Sequence, residues 1–329
     1  MVDVGYMRVH CAPACFSCQD LVFEYRCPMP NMTTVQLSNA WQPGHLNHMF
    51  ERIVTLHENV SANGPDTDVE YYQKQSLPLT ILSHPGIKVN GLSAPWVVQI
   101  EDFLTPDECE TLIQLGSQQG YKRSTGLNLT QNADGTHGNV VEEVRTSTNA
   151  WCLEECHQHL TTQKILHRIE HITNISDANS EYLQLLHYNV GQFYKIHHDY
   201  IDFHLNRRQG VRLATVFLYL NDVEEGGGTN FPELNLVSPC GLFGQFAMSK
   251  FHCNLIKFIC AIYFFMIKTV EAKRGRALIW PSVLDNDPDK MDPLTKHQAL
   301  PVIKGVKYGA NSWIHQRDFK SPFKIGCTS

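Results

Sequence analysis

The sequence lacks any Lys- and Arg-rich block and any apolar run long enough to cross a membrane. Its 329 residues carry 27 basic and 33 acidic side chains, which gives a net charge of −6. An acidic balance without a basic block argues against a nucleic-acid-binding protein. The most apolar run, 255–267, is short for a membrane span and contains Lys257. Association with a membrane is therefore not indicated.

The first residues, MVDVGYMRVH, also lack the apolar segment of a signal peptide. Cysteine, in contrast, is abundant, with 11 residues in the chain. The close groups of cysteines are Cys11, Cys15, Cys18 and Cys27, and then Cys152 with Cys156. Such groups are typical of disulfides in an oxidising compartment or of a zinc knuckle. The N-glycosylation triplets, which favour a secretory route, begin at Asn31, Asn59, Asn128 and Asn174.

Composition divides the chain into three parts. We predict a cysteine-rich module over 1–27, a linker or irregular segment over 28–95 with one helix near 46–56, and a folded domain over 96–320. Thr105 as N-cap, followed by Pro106 and Glu108, predicts the start of a helix. Apolar spacing predicts a second helix over 162–172. Short apolar or alternating runs follow residue 180, which together with the helices predicts an α+β domain built on a jelly roll or barrel.

The residues that carry chemistry lie in the run YNVGQFYKIHHDY. Residues i and i+2 of a strand point the same way, so His197 and Asp199 can reach one metal ion. A third ligand must come from elsewhere, and His297 is the candidate. Two imidazoles and one carboxylate leave three coordination positions free, as in the non-haem Fe(II) oxygenases. We expect the other histidines of this half to be ordinary polar or surface residues: His198, His204 and His315.

Lys307 lies ten residues after His297, within an apolar strand-like run. A cation in such a run is costly to bury unless an anion pairs with it. Lys307 is therefore a candidate anchor for the distal carboxylate of 2-oxoglutarate. That cosubstrate would chelate the iron through two oxygens and leave the last position for O2.

Residues 96–320 resemble the catalytic domain of prolyl 4-hydroxylases, which are Fe(II)- and 2-oxoglutarate-dependent dioxygenases. The matching features, in order, are RTS at 145–147, Glu181, Y-x-x-G-x-x-Y-x-x-H-x-D at 188–199, R-x-A-T-V-F-L-Y-L-N-D at 212–222, G-G-G-T-x-F-P at 226–232, RG-x-AL-x-W at 274–280, and H-x-x-x-P-V-x-x-G-x-K with N-x-W at 297–313. The resemblance implies a double-stranded β-helix (jelly-roll) core with flanking helices. It also implies Fe(II), 2-oxoglutarate, O2 and L-ascorbate as cofactors.

The resemblance further implies a role for each matching residue. His197, Asp199 and His297 are expected to bind iron, and Lys307 to pair with the C5 carboxylate of 2-oxoglutarate. The other residues expected to bind this cosubstrate are Tyr188, Thr229 and Trp313. The residues expected beside the peptide are Arg145, Ser147, Glu181 and Arg212. The alternatives that stay open are barrel packing for Tyr188 and Trp313, surface charge for Glu181 and Arg212, and strand propensity for Thr229.

The implied reaction is hydroxylation of peptidyl proline with release of succinate and CO2. The expected partner is a proline-rich peptide or protein in an extended, polyproline-like conformation. Family, cysteines and glycosylation triplets together predict the endoplasmic reticulum. The same chemistry on another substrate, a catalytically impaired barrel and a zinc-dependent hydrolase are the competing interpretations. The oligomeric state is not specified by the sequence.

Two segments depart from this pattern. The run GYMRVHCAPACFSC resembles the C-terminal half of a ShK-toxin-like module, so we expect an N-terminally truncated sequence. Residues 237–268 form an apolar, cysteine-containing insert where the family has a short connection. The insert begins with Val, whose codons start with GT, and ends with Lys, whose codon can end with AG. We hypothesise that it is a translated, in-frame retained intron.

Overall fold

The computed structural model describes residues 23, 27–29, 39–58, 77–132, 135–234, 236–237, 266–267 and 269–328. Its strands are, in chain order, β1 (Leu79–Ser83), β2 (Lys88–Val89), β3 (Leu92–Ser93), β4 (Val97–Ile100), β5 (Lys122–Arg123), β6 (Gly126–Gln131), β7 (His137–Val140), β8 (Thr148–Trp151), β9 (Gln184–Tyr188), β10 (Tyr194–His197), β11 (Arg212–Tyr219), β12 (Glu225–Gly226), β13 (Thr229–Asn230), β14 (Leu236–Val237), β15 (Met266–Ile267), β16 (Thr269–Val270), β17 (Ala277–Pro281), β18 (Val283–Leu284), β19 (Asp287–Met291), β20 (His297–Ala299), β21 (Val302–Lys304) and β22 (Lys307–His315). Its α-helices are α1 (His45–Glu58), α2 (Pro106–Gln119), α3 (Glu154–Gln158), α4 (Leu160–Thr173) and α5 (Lys320–Lys324).

Two antiparallel sheets face each other. The larger has eight strands in the order β1-β4-β17-β11-β22-β9-β8-β5, and the smaller has four in the order β10-β20-β13-β16. The central strand β11 alternates between two cores, because successive side chains of a strand point to opposite faces. Phe217 and Tyr219 join the core between the sheets, whereas Val216 and Leu218 join the core under the helices. This is the predicted α+β fold with a jelly-roll core and flanking helices.

The helices that flank the larger sheet form where the sequence predicts them. α2 begins with the predicted capping box, in which Thr105 Oγ1 accepts from the backbone N–H of Glu108 and the Glu108 carboxylate accepts from that of Thr105. α4 buries the predicted apolar face, including Ile165 and Ile169. Single turns of 3-10 helix lie at Asp177–Asn179, Asp202–Asn206 and Pro293–Thr295.

The interpretation of 28–95 as a linker is wrong for its described parts, although the helix expected near 46–56 is present as α1. Phe50 and Ile53 of that helix are fully buried in the core under the helices. β1 pairs with β4 and extends the larger sheet by one edge strand. The amphipathic helix was visible in the sequence, but its partner surface was not. The domain therefore begins before Trp96.

The cysteine-rich start lies largely outside the described residues, so the ShK-like module stays a prediction. Cys27 forms a disulfide with Cys327, which joins the two ends of the described chain. Phe23 packs in the same small cluster and lies under the guanidinium of Arg207, 3.6 Å from its centre. A second disulfide joins Cys152 and Cys156.

The insert also lies mostly outside the described residues. Its two ends are adjacent, since β14 pairs with β15 in an antiparallel hairpin. β16, which follows at once, pairs with β13 of the smaller sheet. Among the described residues, no helix has the length and apolar character needed to span a bilayer.

Candidate metal and cosubstrate site

Two paired strands of the smaller sheet bring the predicted metal ligands together. His197 on β10 lies directly opposite His297 on β20. β10 ends at His197, so Asp199 is not part of the strand as the sequence suggested. The hydroxyl of Thr215 on β11 donates to Asp199 Oδ2 at 2.6 Å and holds this carboxylate beside the histidines. Thr215, on the larger sheet, therefore orients Asp199, which follows a strand of the smaller sheet.

The three side chains form a group that can hold one metal ion. Their ligand atoms all lie within 4.8 Å of one another. Nε2 of His197 is 3.9 Å from Asp199 Oδ1, and Nε2 of His297 is 3.6 Å from Asp199 Oδ2. Nδ1 of each histidine faces a backbone carbonyl, that of Lys195 at 2.8 Å and that of Thr295 at 3.0 Å. Because a carbonyl only accepts, Nδ1 carries the proton and each Nε2 lone pair is free to bind a metal.

The electrostatics of this group suit a divalent cation. Burial and the neighbouring His297 lower the pKa of His197 well below its ordinary value, so this imidazole is neutral at physiological pH. Burial would raise the pKa of Asp199, but the two histidines and Arg212 outweigh it and the pKa is lowered. Neutral imidazoles and an ionised carboxylate are the protonation states that a divalent metal requires.

Lys307 lies at the start of β22, in the same cavity as the three ligands. Its side chain is 1% exposed, and its ammonium has no hydrogen-bond partner among the described residues. The rings of Tyr188, Phe217 and Tyr219 surround the nitrogen at 5.2–5.5 Å. Burial lowers the pKa of Lys307 to about 7. The cavity therefore holds a metal-binding group and an uncompensated cation, which is the donor set that a chelating dicarboxylate needs.

Tyr188 and Thr229 line this cavity, as predicted. Tyr188 is the cross-strand partner of Lys307 on β9. Thr229 on β13 accepts a hydrogen bond from the Tyr219 hydroxyl at 2.7 Å, so its own proton is available to a ligand. Both residues are buried, so barrel packing for Tyr188 and strand propensity for Thr229 stay open beside the ligand-binding role.

Arg145 also lines the cavity. Its guanidinium donates to Gln184 Oε1 at 2.8 Å and lies 4.7 Å from the centre of the Tyr194 ring. Tyr194 in turn stacks on the imidazole of His197, with ring centres 3.5 Å apart. Tyr194 thus connects Arg145 to the metal ligand His197.

Glu181 and Arg212 form a buried ion pair rather than surface charges. Arg212 Nε donates to Glu181 Oε1 at 2.5 Å, and His315 Nε2 lies 2.8 Å from the same oxygen. Burial would raise the pKa of Glu181, but Arg212 and His315 outweigh it and lower it to about 2. His315, with no exposed surface, and His204 are buried, so of the two expected alternatives, ordinary polar or surface residues, the surface position is wrong for both.

Trp313 and Ser147 do not line the cavity. Trp313 lies on the same face of β22 as Lys307, but six residues further along, where its ring packs 3.8 Å under the Arg212 guanidinium. The expectation that Trp313 lines the cosubstrate pocket is therefore wrong, because the strand carries it past the ligands. Ser147 is fully buried and donates to Ser124 Oγ at 3.0 Å, which leaves it no direct contact with a peptide.

Several residues of the site were missed in the sequence. Thr215 orients Asp199, and Trp280 packs against His297 with ring centres 4.8 Å apart. Tyr219 supports Thr229, and Asn311 lines the cavity. Thr215, Tyr219 and Trp280 fall within motifs quoted above, where alternation along the strand was the available signal for which side chains point inward.

Comparisons with known proteins agree with this geometry. The family model of the 2OG-Fe(II) oxygenase superfamily matches residues 183–315. Prolyl 4-hydroxylase 5 of Arabidopsis thaliana is 34% identical over 238 residues, which cover 69% of this chain and 70% of that protein. Prolyl 4-hydroxylase 2 of the same organism is 32% identical over 247 residues, which cover 74% and 75%. A viral collagen prolyl hydroxylase of Paramecium Bursaria Chlorella virus-1, solved as a 2OG complex, is 24% identical, covers 67% of this chain and 95% of its own, and superposes with a TM-score of 0.44.

The matched superfamily region contains all three ligands and Lys307. The Arabidopsis relatives extend the match over more than two thirds of both chains at over 30% identity. Fe(II), 2-oxoglutarate and O2 are therefore the cofactors of this enzyme. It is a 2-oxoglutarate-dependent dioxygenase, and the chain belongs to the prolyl 4-hydroxylase family.

Proposed function

We propose that this enzyme hydroxylates proline residues in an extended, proline-rich peptide or protein. In this proposal His197, Asp199 and His297 hold the iron, and Lys307 pairs with the C5 carboxylate of 2-oxoglutarate. Tyr188 and Thr229 are hydrogen-bonding neighbours of that carboxylate. When bound, the iron supplies the oxidation in which one atom of O2 enters a C–H bond of the substrate, while 2-oxoglutarate and the other atom leave as succinate and CO2.

The observation that carries this proposal is the uncompensated ammonium of Lys307. A buried cation without a partner destabilises the folded state. An anionic ligand that reaches it while chelating the metal removes that penalty. A hydrolytic zinc site has no use for such a cation, so the lysine favours the dioxygenase over the hydrolase interpretation.

The protein's own residues contribute positioning and the exclusion of water. Phe217 and Trp280 give the cavity apolar walls, which limit the access of water to the reacting groups. Arg145, which lines the same cavity, is the candidate donor to a carbonyl of the bound peptide. In this proposal the ion pair of Glu181 and Arg212 stabilises the peptide-binding side of the site. The guanidinium of Arg212 stacks on the ring of Trp313. Ser147 acts indirectly in this scheme, through the packing beneath Tyr188.

We further propose that the enzyme works in the endoplasmic reticulum and uses L-ascorbate. Two disulfides within the described residues are compatible with an oxidising compartment. Ascorbate would return the iron to the ferrous state after turnovers that do not reach substrate. Both proposals require tests of their own: fractionation of cells that express the tagged chain, and dependence of activity on ascorbate during repeated turnover.

The decisive experiment measures succinate with Fe(II), 2-oxoglutarate and ascorbate, with and without a proline-rich peptide. We expect peptide-stimulated succinate and one added oxygen on proline by mass spectrometry. His297→Ala should abolish both, whereas His45→Ala, at an exposed position that does not line the cavity, should change neither. Succinate that rises with another acceptor but not with peptide would reject proline as the target. Bound iron without succinate under any condition would indicate a non-catalytic barrel.

A further inference from the structure

His198 stands between two metal ligands in the chain, yet its side chain points away from the metal. Nε2 lies 2.9 Å from the backbone oxygen of Asp292 and 2.8 Å from Thr295 Oγ1. We propose that His198 is a positioning residue for the metal centre. It cross-links the segment that carries His197 and Asp199 to the segment that leads into His297. The inference rests on the metal site of the proposed function.

The local hydrogen bonds determine which ring nitrogen of His198 carries the proton. The backbone N–H of Tyr200 donates to Nδ1 at 2.8 Å, so Nδ1 is the acceptor of a neutral ring. Nε2 is then the donor, and the oxygen of Asp292 accepts from it. The imidazole therefore spans from the turn after β10 to the turn before β20 with one defined orientation.

Residues 292–295 form the turn that accepts the hydrogen bond from His198. Hydrogen bonds within this turn hold its conformation. Asp292 Oδ1 accepts from the backbone N–H of Leu294 at 2.9 Å, and Thr295 Oγ1 donates to the Asp292 oxygen at 3.0 Å. Thr295 is 1% exposed, and its carbonyl accepts from Nδ1 of His297. The oxygen that orients the third metal ligand thus belongs to the turn that His198 holds. A movement of this turn would rotate the His297 ring.

The pairing of β10 with β20 by itself constrains the positions of the metal ligands only weakly. β10 and β20 align Tyr194 with Ala299 and His197 with His297, and the register shifts between these two positions. β10 ends at His197, so no ladder hydrogen bond holds the chain at Asp199. The ring of His198 supplies the missing connection at the point where both ligand segments leave the sheet. Removing a partner that orients a metal ligand typically costs 10- to 100-fold in metal affinity.

Two substitutions separate the cross-link from the other contacts of the ring. His198→Asn keeps an acceptor near the Nδ1 position for Tyr200 but is too short to reach Asp292. His198→Gln places an amide N–H near the Nε2 position and keeps the donor. We expect Mn(II) to bind the Asn variant about 10- to 100-fold more weakly than wild type, and the Gln variant to stay within about threefold of wild type.

The experiment uses the full chain, stripped with a chelator, and Mn(II) titrated by calorimetry without 2-oxoglutarate, so that no turnover is involved. Thermal unfolding of the metal-free proteins is measured in parallel. Equal Mn(II) affinity in wild type and His198→Asn would overturn this inference but leave the proposed metal site standing. Equal losses in the Asn and Gln variants would assign the effect to ring packing and also overturn it. Absence of Mn(II) binding by wild type would overturn the proposed metal site itself.

A merely structural role would lower the unfolding temperature of the metal-free protein without changing the dissociation constant. Thr295→Val provides a second route should His198→Asn fail to fold. It removes the hydroxyl beside Nε2 and keeps the carbonyl that orients His297. We expect a loss of Mn(II) affinity of about tenfold in this variant. Wild-type affinity in Thr295→Val would count against the cross-link.

Discussion

A lysine that is 1% exposed and has no hydrogen-bond partner among the described residues destabilises the metal-free, ligand-free enzyme. We therefore expect Lys307→Met to raise its free energy of unfolding by about 1–3 kcal/mol, because an unsatisfied buried polar group is removed. The same change should abolish the rise in unfolding temperature that 2-oxoglutarate gives to the Mn(II)-loaded protein. Denaturant unfolding and thermal shift measure the two effects.

Lys304→Met is the matched control for this change. Lys304 pairs with Glu224 on the surface, with its side chain 69% exposed. Its removal should leave both measurements within about 0.5 kcal/mol of wild type. If Lys307→Met is destabilised instead, the ammonium has a favourable interaction in the folded state, and the anion-binding role assigned to it loses its physical basis.

The pKa of about 7 for Lys307 gives 2-oxoglutarate binding a defined pH dependence. The bound carboxylate favours the protonated lysine and raises its pKa, so binding takes up a proton above pH 7. We expect the dissociation constant to be constant below pH 7 and to rise about tenfold per unit above it. Calorimetric titration of the Mn(II)-loaded enzyme between pH 6 and 9 measures this. Lys307→Arg, which stays charged, should bind with little change over that range, and a flat wild-type profile would contradict the prediction.

The ion pair of Glu181 predicts a separate acid sensitivity. Its pKa is about 2 in the folded protein and near 4.5 when unfolded, so its contribution to stability is complete above pH 4.5 and is lost as the pH falls towards 2. Glu181→Gln should lower the free energy of unfolding by about 3–5 kcal/mol at pH 7, because Arg212 and His315 lose a buried partner. Unfolding curves should converge with wild type as the pH approaches 2. A constant difference across this range would contradict the assignment.

At the scale of single residues, the sequence predicted the side chains whose chemistry demands a partner. The family resemblance, and not type and spacing alone, identified the two imidazoles, the carboxylate and the lysine. The peptide-side role of Ser147 stays a prediction, whereas Trp313 was expected in the cosubstrate pocket and lies outside it, because an apolar side chain fits many surroundings. The position of Trp313 depends on how far along a strand the cavity extends, which the spacing of residues does not specify.

Among the helices, the junction of α2 and α4 depends on Glu108. Its carboxylate accepts from Arg168 at 2.7 and 2.8 Å while it also caps the first turn of α2. We expect Glu108→Ala to cost about 3–5 kcal/mol, because the buried Arg168 loses its ion pair with this carboxylate. Thr105→Ala, which removes half of the capping box, should cost about 1 kcal/mol. Chemical denaturation measures both, with Glu110→Ala on the exposed side of α2 as the control.

The test is whether Glu108→Ala lowers the free energy of unfolding more than Thr105→Ala does. Equal costs for Glu108→Ala and Thr105→Ala would mean that capping, and not the ion pair, carries the contribution of Glu108. The capping box and the apolar faces of both helices were predictable, since they are encoded within a few residues of each other. The contact between Glu108 and Arg168 was not, because it joins residues that are distant in the sequence.

The same distinction explains the error over 28–95. β1 is a short run that pairs with β4, but its role as an edge strand depends on the rest of the sheet. Phe50 and Ile53 gave α1 a visible apolar face, and an apolar face requires a surface to cover. A segment with such a face should have been assigned to the folded domain.

For the whole molecule, the origin of the insert stays a hypothesis that sequencing of transcripts can decide. Messages that carry 237–268 uniformly would end the retained-intron interpretation. Spliced messages that join Leu236 to Thr269 would support it. The described ends of the insert pair as β14 and β15, and the strands beside them, β13 and β16, pair in the smaller sheet. None of the proposed iron ligands lies within the insert.

This geometry predicts that the insert can be removed without loss of the site. Replacing 238–265 by Asn-Gly joins Val237 to Met266 through a turn that suits an antiparallel hairpin. Shortening the connection from 28 residues to two should raise the free energy of unfolding by about 2 kcal/mol, since loop closure costs about 0.6 kcal/mol per doubling of length. The Phe, Ile and Cys residues of this apolar segment would also be removed, so aggregation on heating should fall. Mn(II) affinity should equal that of wild type. A lower unfolding temperature or weaker Mn(II) binding would mean that the insert packs on the domain and contributes to the fold.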